Sequence, residues 1–207
     1  NIGQPIFEEA QKARLGVVVH AEHFSANNVD DQYILWNNYY EYQFTNADKV
    51  DFFIVATDRQ KEILAEQFAK YTNHQPAIYT IPVGSLASLP QNENRTPFSM
   101  ITASRLATEK HIDWLVRAVV RAKKELPELS FDIYGKGGEE GKLRSLIDEL
   151  GAADYIHLKG HANLEEIYKN YEVYLSASTS EGFGLTLMEA IGSGLPIIGF
   201  EDRKSVV

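Results

Sequence analysis

Three consecutive stretches of sequence decide the fold: FSMITA (98–103), IDWLVRAVVRAKKEL (112–126) and LSFDIY (129–134). A short apolar strand is followed by a helical stretch and by a second apolar strand. The apolar positions of the helical stretch recur at i, i+3, i+4 and i+7, namely Ile112, Leu115, Val116 and Val119. One face of this helix can therefore lie on a sheet. Continuous apolar strands joined by a crossover helix are typical of a parallel sheet that is covered on both faces.

The same alternation continues to the end of the chain. It runs through EGKLRSLIDEL (140–150), YIHLKG (155–160), a short helix near 164–170, EVYLSA (172–177), a helix within 180–190, and PIIGF (196–200). Five strands and four helices predict a Rossmann-type α/β domain over 98–207. Ligands of such sheets bind at the carboxyl ends of the strands, so the loops that follow the strands are where a site is expected.

The first part of the chain contains fewer strands. Apolar runs at 15–19, 52–56 and 77–81 predict three strands of a second Rossmann-like domain over 1–82, too few for a complete one, and we expect the rest upstream of Asn1. A polar segment with four prolines or glycines, PVGSLASLPQNENRTP (82–97), predicts an interdomain linker over 83–97. The final segment EDRKSVV suggests that the second domain is truncated at its end.

Composition narrows the classes of function. The 207 residues carry 20 Lys and Arg against 29 Asp and Glu, a net charge of −9, which argues against bulk electrostatic binding to nucleic acid or to an anionic membrane. There is no cysteine, which removes disulfides and thiolate chemistry. The sequence has no apolar run of ~20 residues and no secretion signal, so we expect a cytoplasmic protein. Peripheral membrane association stays an open alternative.

The segment SEGFGLTLMEA (180–190) is the strongest candidate for a ligand site. Its glycines can open a helix whose first N–H groups have no internal partner and can bind an anion. Glu181 is expected outside that helix and Glu189 on it. A carboxylate can accept two hydrogen bonds from a vicinal diol, a role that suits Glu189 and leaves Glu181 nearer the group beyond the phosphates. The alternative is a pair of exposed surface carboxylates.

Other strand ends add candidate residues. Arg105 and Lys110 follow one strand and could hold a diphosphate, although two surface cations are the alternative. His20 and His23 follow the first strand, where a structural role is as plausible as sugar binding or proton transfer. The segment GKGGEEGK (135–142) departs from a Walker phosphate loop in spacing and predicts a turn through which a ligand could approach the backbone. No metal-ligand pattern is present.

Three motifs carry a family resemblance: ASRLATEKHID (103–113), YGKGGE (134–139) and SEGFGLTLMEAIGSGLPII (180–198). With them the chain resembles the retaining GT-B glycosyltransferases of family 4, which transfer a sugar from a nucleotide diphosphate. The segments VVVHAEHFS (17–25), YYEYQFTNADKVDFFIVATDRQ (39–60) and IPVGSL (81–86) are most similar to the group that adds GlcNAc to Ser and Thr of serine-rich repeat adhesins.

The resemblance implies a GT-B fold of two Rossmann-like domains with a cleft between them, UDP-GlcNAc as donor and no metal or other cofactor. It also implies a serine-rich protein acceptor and a homologous glycosyltransferase-like subunit as partner. The implied site residues are Arg105 and Lys110 for the diphosphate, Glu189 for the ribose, Glu181 for the hydroxyl at sugar C3, and His20 or His23 for the transferred sugar. The N–H groups of Phe183, Gly184 and Leu185 would bind phosphate and sugar. Donor contacts are completed by Gly182, Thr186, Gly135, Lys136 and His161, the last three beside the uracil.

Two positions depart from the family pattern, since Ser104 and His111 stand where the family prefers glycine. Both are tolerable where the local backbone avoids positive φ. The sequence leaves two other functions open. One is a family 4 glycosyltransferase with another nucleotide sugar and a glycan or lipid acceptor, and the other is a non-catalytic partner subunit with the same fold.

Overall fold

The structure is a computed structural model that describes residues 13–19, 24–25, 35–36, 46–84, 89–91, 94–178 and 183–199. These residues divide into two compact units. The first unit holds the described residues up to Gly84 together with Phe183, and the second holds those from 89 to 178 and from 184 to 199. In the described ranges, no helix is long and apolar enough to cross a bilayer.

The first unit is built on a parallel sheet. Its strands are β1 (Gly16–Val19), β4 (Phe52–Val55) and β5 (Ala77–Thr80), in the order β1-β4-β5, and an antiparallel pair is formed by β2 (Phe24–Ser25) and β3 (Leu35–Trp36). Helix α1 (Asp58–Tyr71) packs on this sheet, with Leu64 and Phe68 buried against Phe53 and Val55. The three predicted strands are therefore confirmed; β1 begins one residue later than expected, and β4 and β5 each end one residue earlier.

Local chemistry fixes where α1 begins. Thr57 is in an extended conformation, and its side chain accepts a hydrogen bond from the Gln60 N–H at 3.2 Å. A threonine in this position satisfies one of the first N–H groups of the helix, which have no partner inside it. Asp58 adds a negative charge to the first turn, where the helix dipole favours it.

The second unit holds a five-stranded parallel sheet. The strands are β6 (Ser99–Ala103), β7 (Ser130–Tyr134), β8 (Ile156–Gly160), β9 (Val173–Ser176) and β10 (Ile197–Gly199), in the order β10-β9-β6-β7-β8. The helices are α2 (Ile112–Ala122), α3 (Glu140–Glu149) and α4 (Leu185–Gly192), with 3₁₀ turns at Thr108–Lys110 and Tyr168–Asn170. The predicted strands and helices of this half are all present, and the short third helix is a 3₁₀ turn.

Apolar cores cover both faces of this sheet. On one face, Phe131 and Ile133 of β7 pack with α2 and α3. On the other face, Ile101 and Ala103 of β6 pack with Tyr168 and with α4. All five residues of β6 are buried, including the polar Ser99 and Thr102, as expected for a strand that is covered on both faces.

Part of the predicted linker packs on the second unit. Leu89 is only 5% exposed and belongs to the same core cluster as Ile101. The Arg95 guanidinium donates hydrogen bonds to the carbonyl oxygens of Tyr171 at 3.1 Å and Ser193 at 2.8 Å. Leu89 and Arg95 are therefore anchored on the second unit. The bounds of the linker and of the two domains stay predictions.

Candidate functional site

The order of the strands places a topological switch point between β6 and β9. From β6 the chain adds β7 and then β8 on one side, and it then crosses over to place β9 on the other side of β6. Ile101 of β6 pairs directly with Tyr174 of β9. In open parallel sheets, ligands bind outside the carboxyl ends of the strands where the order reverses. The loop that carries Arg105 and Lys110 and the segment that follows β9 both leave the sheet at this point.

Lys110 bridges the two segments at the switch point. It is the last residue of the 3₁₀ turn Thr108–Lys110 after β6, and its Nζ donates to the Oγ of Ser178 after β9 at 3.1 Å. Both side chains are half-buried. The ammonium group is thus held beside the carboxyl ends of both strands.

Arg105 lies on the surface of the same loop. Its side chain is 73% exposed, and its Nη2 is 2.8 Å from the Oε1 of Glu109, at position i+4 along the chain. Burial raises the pKa of Glu109, but a hydrogen bond from its own backbone, the Arg105 guanidinium and the charge of Lys110 outweigh that effect, so the net pKa is lowered. Glu109 is therefore a carboxylate at neutral pH and orients the guanidinium without covering it.

The condition that the backbone avoids positive φ is not met at His111. This residue has φ 45° and ψ 42°, the left-handed region, where it joins the 3₁₀ turn to α2. Its N–H donates to the Thr108 carbonyl at 3.1 Å, and its ring stacks on Trp114 with centroids 3.9 Å apart. A histidine here carries a strain of about 1 kcal/mol or more, which the surrounding contacts offset. The condition is met at Ser104, which does not have positive φ.

The glycines of the 135–138 segment let two loops of the protein run side by side. A Cβ on Gly135, which has φ 135°, would lie 1.8 Å from the Ser104 carbonyl oxygen, and one on Gly137 would lie 2.2 Å from that of Leu106. The Leu106 N–H donates to the Lys136 carbonyl at 3.0 Å. The predicted turn is confirmed. The backbone that approaches these glycines closely belongs to the loop that carries Arg105.

The end of β8 lies at the same edge. The Gly160 carbonyl accepts a hydrogen bond from the Gly135 N–H at 2.8 Å, and the register of β7 and β8 shifts between Ile133 and Tyr134. His161 follows directly and is exposed. The three residues predicted beside a uracil, Gly135, Lys136 and His161, are therefore on adjoining loops.

Helix α4 begins as the sequence predicts. Gly184 has φ 66° and ψ 49°, a left-handed conformation that glycine adopts without strain, and Leu185 is the first helical residue. Thr186 lies in the first turn with its Oγ1 3.1 Å from the Tyr174 hydroxyl, which donates to the Ala103 carbonyl at 2.9 Å. The first turn is therefore tied to the end of β6. Phe183 belongs to the first unit.

Glu189 lies one turn further along α4 and is half-buried. The hydroxyl of Tyr168 donates a hydrogen bond to its Oε2 at 3.2 Å. Tyr168 is fully buried. Burial, together with the nearby Tyr174 and Glu189, raises the pKa of Tyr168 far above its ordinary value, so the phenol stays a protonated donor.

Four predicted site residues, His20, His23, Glu181 and Gly182, lie outside the described residues. In the part of the chain that the structure describes, no cluster of three or more His, Cys, Asp or Glu side chains is arranged to hold a metal. A groove of about 630 Å³ lies between α2 and α3 and contains none of the predicted site residues, so we place the site by the strand ends and not by this groove.

Sequence reasoning missed three residues at this edge, Ser178, Tyr168 and Tyr174. Ser178 follows an apolar strand in the segment SASTS, and this position was a usable signal. No sequence pattern points to Tyr168 or Tyr174, because the hydrogen-bond partners of their hydroxyls lie on other elements, far away in sequence.

A comparison of this sequence with known protein families matches residues 88–205 to the family described as Glycosyl transferases group 1. The chain belongs to that family. Its two parallel α/β units and its similarity to solved glycosyltransferases confirm the predicted GT-B fold class over the part of the fold that the chain spans.

Individual relatives match almost the whole of this chain and not only residues 88–205. The chain is 72% identical over 201 residues to the GtfA subunit of the UDP-N-acetylglucosamine-peptide N-acetylglucosaminyltransferase of Streptococcus pneumoniae, covering 97% of this chain and 40% of that protein. The crystal structure of the pneumococcal O-GlcNAc transferase GtfA in complex with UDP and GlcNAc matches with a TM-score of 0.87 and 72% identity, over 96% of this chain and 40% of the other.

A crystal structure of a GtfA/B complex also matches. Its TM-score is 0.78 at 70% identity, over 98% of this chain and 41% of the matched chain. The chain therefore spans about two fifths of the length of these relatives. The resemblance that the sequence motifs indicated is confirmed.

Proposed function

We propose that the full-length protein is a retaining glycosyltransferase that moves GlcNAc from UDP-GlcNAc to Ser and Thr hydroxyls of a serine-rich adhesin. The observation that carries this proposal is the set of groups at the switch point, where Lys110 bridges to Ser178 beside the Arg105 loop and α4. It is supported by the 72% identical relative that is named for transfer to peptide and by the matched structure that holds UDP and GlcNAc.

The diphosphate would be bound by Arg105 and Lys110. The guanidinium offers a planar fork of donors and the ammonium a compact charge, a pair of geometries that suits two linked phosphates. The N–H groups of Phe183, Gly184 and Leu185, with Gly182 and Thr186 nearby, would bind phosphate and sugar at the start of α4, where the helix dipole favours an anion.

The two carboxylates would hold the ends of the donor. Glu189 would accept the hydroxyls of the ribose, and Glu181 the hydroxyl at C3 of the sugar. Gly135, Lys136 and His161 would contact the uracil. His20 or His23 would face the transferred sugar, and the residues alone do not choose between them.

Charge stabilisation would supply most of the catalysis. As the bond to UDP breaks, negative charge grows on the leaving phosphate, and Arg105, Lys110 and the start of α4 would stabilise it without a metal. The acceptor hydroxyl would attack the cationic anomeric carbon on the face that UDP leaves, and the configuration would be retained. Chelator-treated enzyme should keep its activity.

The same proposal includes a partner and a location. We infer that a homologous glycosyltransferase-like subunit binds the full-length protein, since the 70% identical chain was crystallised as a GtfA/B complex. We place the protein in the cytoplasm, where nucleotide sugars are available, before the acceptor is exported. The acceptor specificity would be shared with the partner.

Donor preference gives the first test. The full-length protein, with and without its partner, is titrated with UDP-GlcNAc, UDP-Glc and ADP-Glc, and transfer to a Ser/Thr-rich peptide is followed by mass spectrometry. We expect tight binding and transfer only with UDP-GlcNAc. Equal binding of the three donors would remove the specific substrate and leave another family 4 reaction. Binding without transfer under all conditions would favour a non-catalytic subunit.

A substitution with a matched control gives the second test. Arg105→Ala should lower transfer about 100-fold or more, the effect of removing one group that stabilises a transition-state charge. Arg144 is the control, because it forms a similar exposed pair with Glu140 one turn away on α3. Arg144→Ala should keep normal transfer, and equal effects of the two substitutions would contradict the role given to Arg105.

A further inference from the structure

We propose that Tyr168 is a positioning residue for the nucleotide ribose, whose hydroxyl holds the Glu189 carboxylate in the orientation that accepts the 2′ and 3′ hydroxyls. Tyr168 itself would not touch the donor. The inference rests on the ribose role proposed for Glu189, and the test below separates the two.

The first argument is that the phenol of Tyr168 is fixed in place. Its side chain is fully buried, and it begins the 3₁₀ turn Tyr168–Asn170, with its N–H donating to the Leu164 carbonyl at 3.1 Å. Its ring packs on that of Tyr174 with centroids 6.2 Å apart and planes tilted by 56°. A buried ring with neighbours on all sides presents its hydroxyl at one point in space.

The second argument concerns the freedom of Glu189. A glutamate side chain has three rotatable bonds, and one that extends from a helix without a fixed contact populates many rotamers. The hydroxyl of Tyr168 donates to Oε2 at 3.2 Å and selects among them. Each carboxylate oxygen has two lone pairs, so this bond leaves the group able to accept a diol.

The third argument is that the helix carrying Glu189 is tied down by the neighbouring tyrosine. Tyr174 contacts Thr186, three residues before Glu189, and donates to the Ala103 carbonyl of β6. Residues three apart on a helix lie on neighbouring positions of one face. Tyr174 thus holds the first turn of α4 through Thr186, and Tyr168 holds the carboxylate of Glu189 directly.

Near neutral pH, Tyr168 remains the donor and Glu189 the acceptor of their hydrogen bond. Burial and the nearby carboxylate disfavour the phenolate and raise the pKa of Tyr168 well above its ordinary value. The phenol therefore donates, and the carboxylate accepts. A buried hydroxyl that lost this acceptor would be unsatisfied, which adds to the preference for one arrangement.

The experiment measures how much the ribose hydroxyls contribute to binding. Calorimetry gives the dissociation constants of the full-length protein for UDP and for 2′,3′-dideoxy-UDP, and the ratio of the two constants is the diol preference. Tyr168→Phe removes only the hydroxyl and should lower this preference about threefold to tenfold, the range implied by one net hydrogen bond. In transfer assays the KM for UDP-GlcNAc should rise by a similar factor with kcat little changed.

Tyr174→Phe is the matched control. It removes a buried hydroxyl that contacts Ala103 and Thr186 and not the Glu189 carboxylate, so the affinity for both ligands can change while their ratio falls less than in Tyr168→Phe. A partly unfolded preparation lowers the signal from both ligands equally and leaves the ratio unchanged. An unchanged ratio in Tyr168→Phe, or an equal fall in Tyr174→Phe, overturns the inference.

Glu189→Gln separates this inference from the proposed function. If Glu189→Gln keeps the diol preference, Glu189 does not bind the ribose and both ideas fail. If Glu189→Gln loses the preference and Tyr168→Phe keeps it, only the positioning role fails. When Tyr168→Phe is added to Glu189→Gln, no further fall in the ratio is expected, and an additional fall would show that Tyr168 acts by another route.

Discussion

The close approach of Gly137 to the Arg105 loop predicts the effect of a single methyl group. In Gly137→Ala, the new Cβ would lie 2.2 Å from the carbonyl oxygen of Leu106, 2.7 Å from its carbon and 2.8 Å from its nitrogen. These are backbone atoms, which cannot rotate away as the end of a side chain could. The two loops must therefore separate by roughly 1 Å to reach an ordinary contact distance.

The magnitude follows from the bonds that hold the loops together. Leu106 donates to the Lys136 carbonyl at 3.0 Å and accepts from the Glu139 N–H at 3.1 Å, and a separation of this size weakens both bonds. Each is worth about 0.5 to 1.5 kcal/mol, so we expect a loss of about 1 to 3 kcal/mol, in line with the usual cost of overpacking. For a chain of this size, each kcal/mol lowers the melting temperature by about 2 to 4 °C, so we expect a fall of about 2 to 12 °C.

The assay combines thermal unfolding with calorimetric titration of UDP. The affinity for UDP should fall as well, because the displaced loop carries Arg105 and Lys110, the residues proposed to bind the diphosphate. Gly138→Ala is the control, since a Cβ at Gly138 meets nothing within 4 Å and its φ is not positive. Gly138→Ala should change stability by no more than about 0.5 kcal/mol. The reasoning is refuted if Gly137→Ala unfolds and binds UDP as Gly138→Ala does.

Two further predictions concern other parts of the chain. Thr57→Ala should destabilise the first unit by about 1 kcal/mol in chemical denaturation, because the N–H of Gln60 at the start of α1 loses its hydrogen-bond acceptor. An unchanged denaturation midpoint would mean that water or another group caps the helix equally well. The second prediction is that Glu109→Gln should lower the melting temperature at pH 7 and low salt but not at acid pH. Because the folded pKa of Glu109 is lowered from 4.5, its stabilisation is present above that value and is lost as the pH falls through the folded pKa. The effect should be small, since Arg105 is largely exposed, and a difference that persists at acid pH or in high salt would contradict it.

The strands and helices were predictable because burial leaves a direct mark on the sequence. β6 is buried along its whole length, and its sequence is mostly apolar through Met100, Ile101 and Ala103. α2 is buried on one face only and shows the 3.6-residue spacing through Ile112, Leu115 and Val116. The start of α4 was predictable as well, because Gly184 sits in a conformation that few other residues adopt readily.

Side-chain contacts between distant elements were not predictable in the same way. The bond from Lys110 to Ser178 depends on β9 returning beside β6, which no local pattern encodes. Tyr174 reads as one more apolar residue of a strand, although its hydroxyl contacts two other elements. The strained φ of His111 escaped prediction because its compensation comes from tertiary context, including the stack on Trp114.

The position of β9 in the sheet has a consequence for folding kinetics. β6 and β9 are neighbours in space, but β7, β8, α2 and α3 lie between them in sequence, so this pairing closes the longest loop among the strand pairs of the second sheet. Such non-local pairings form slowly. If it forms late, partly folded chains lack the switch point and with it the nucleotide site proposed there. UDP would then prolong the lifetime of the folded protein by slowing its unfolding, while leaving the rate of folding unchanged.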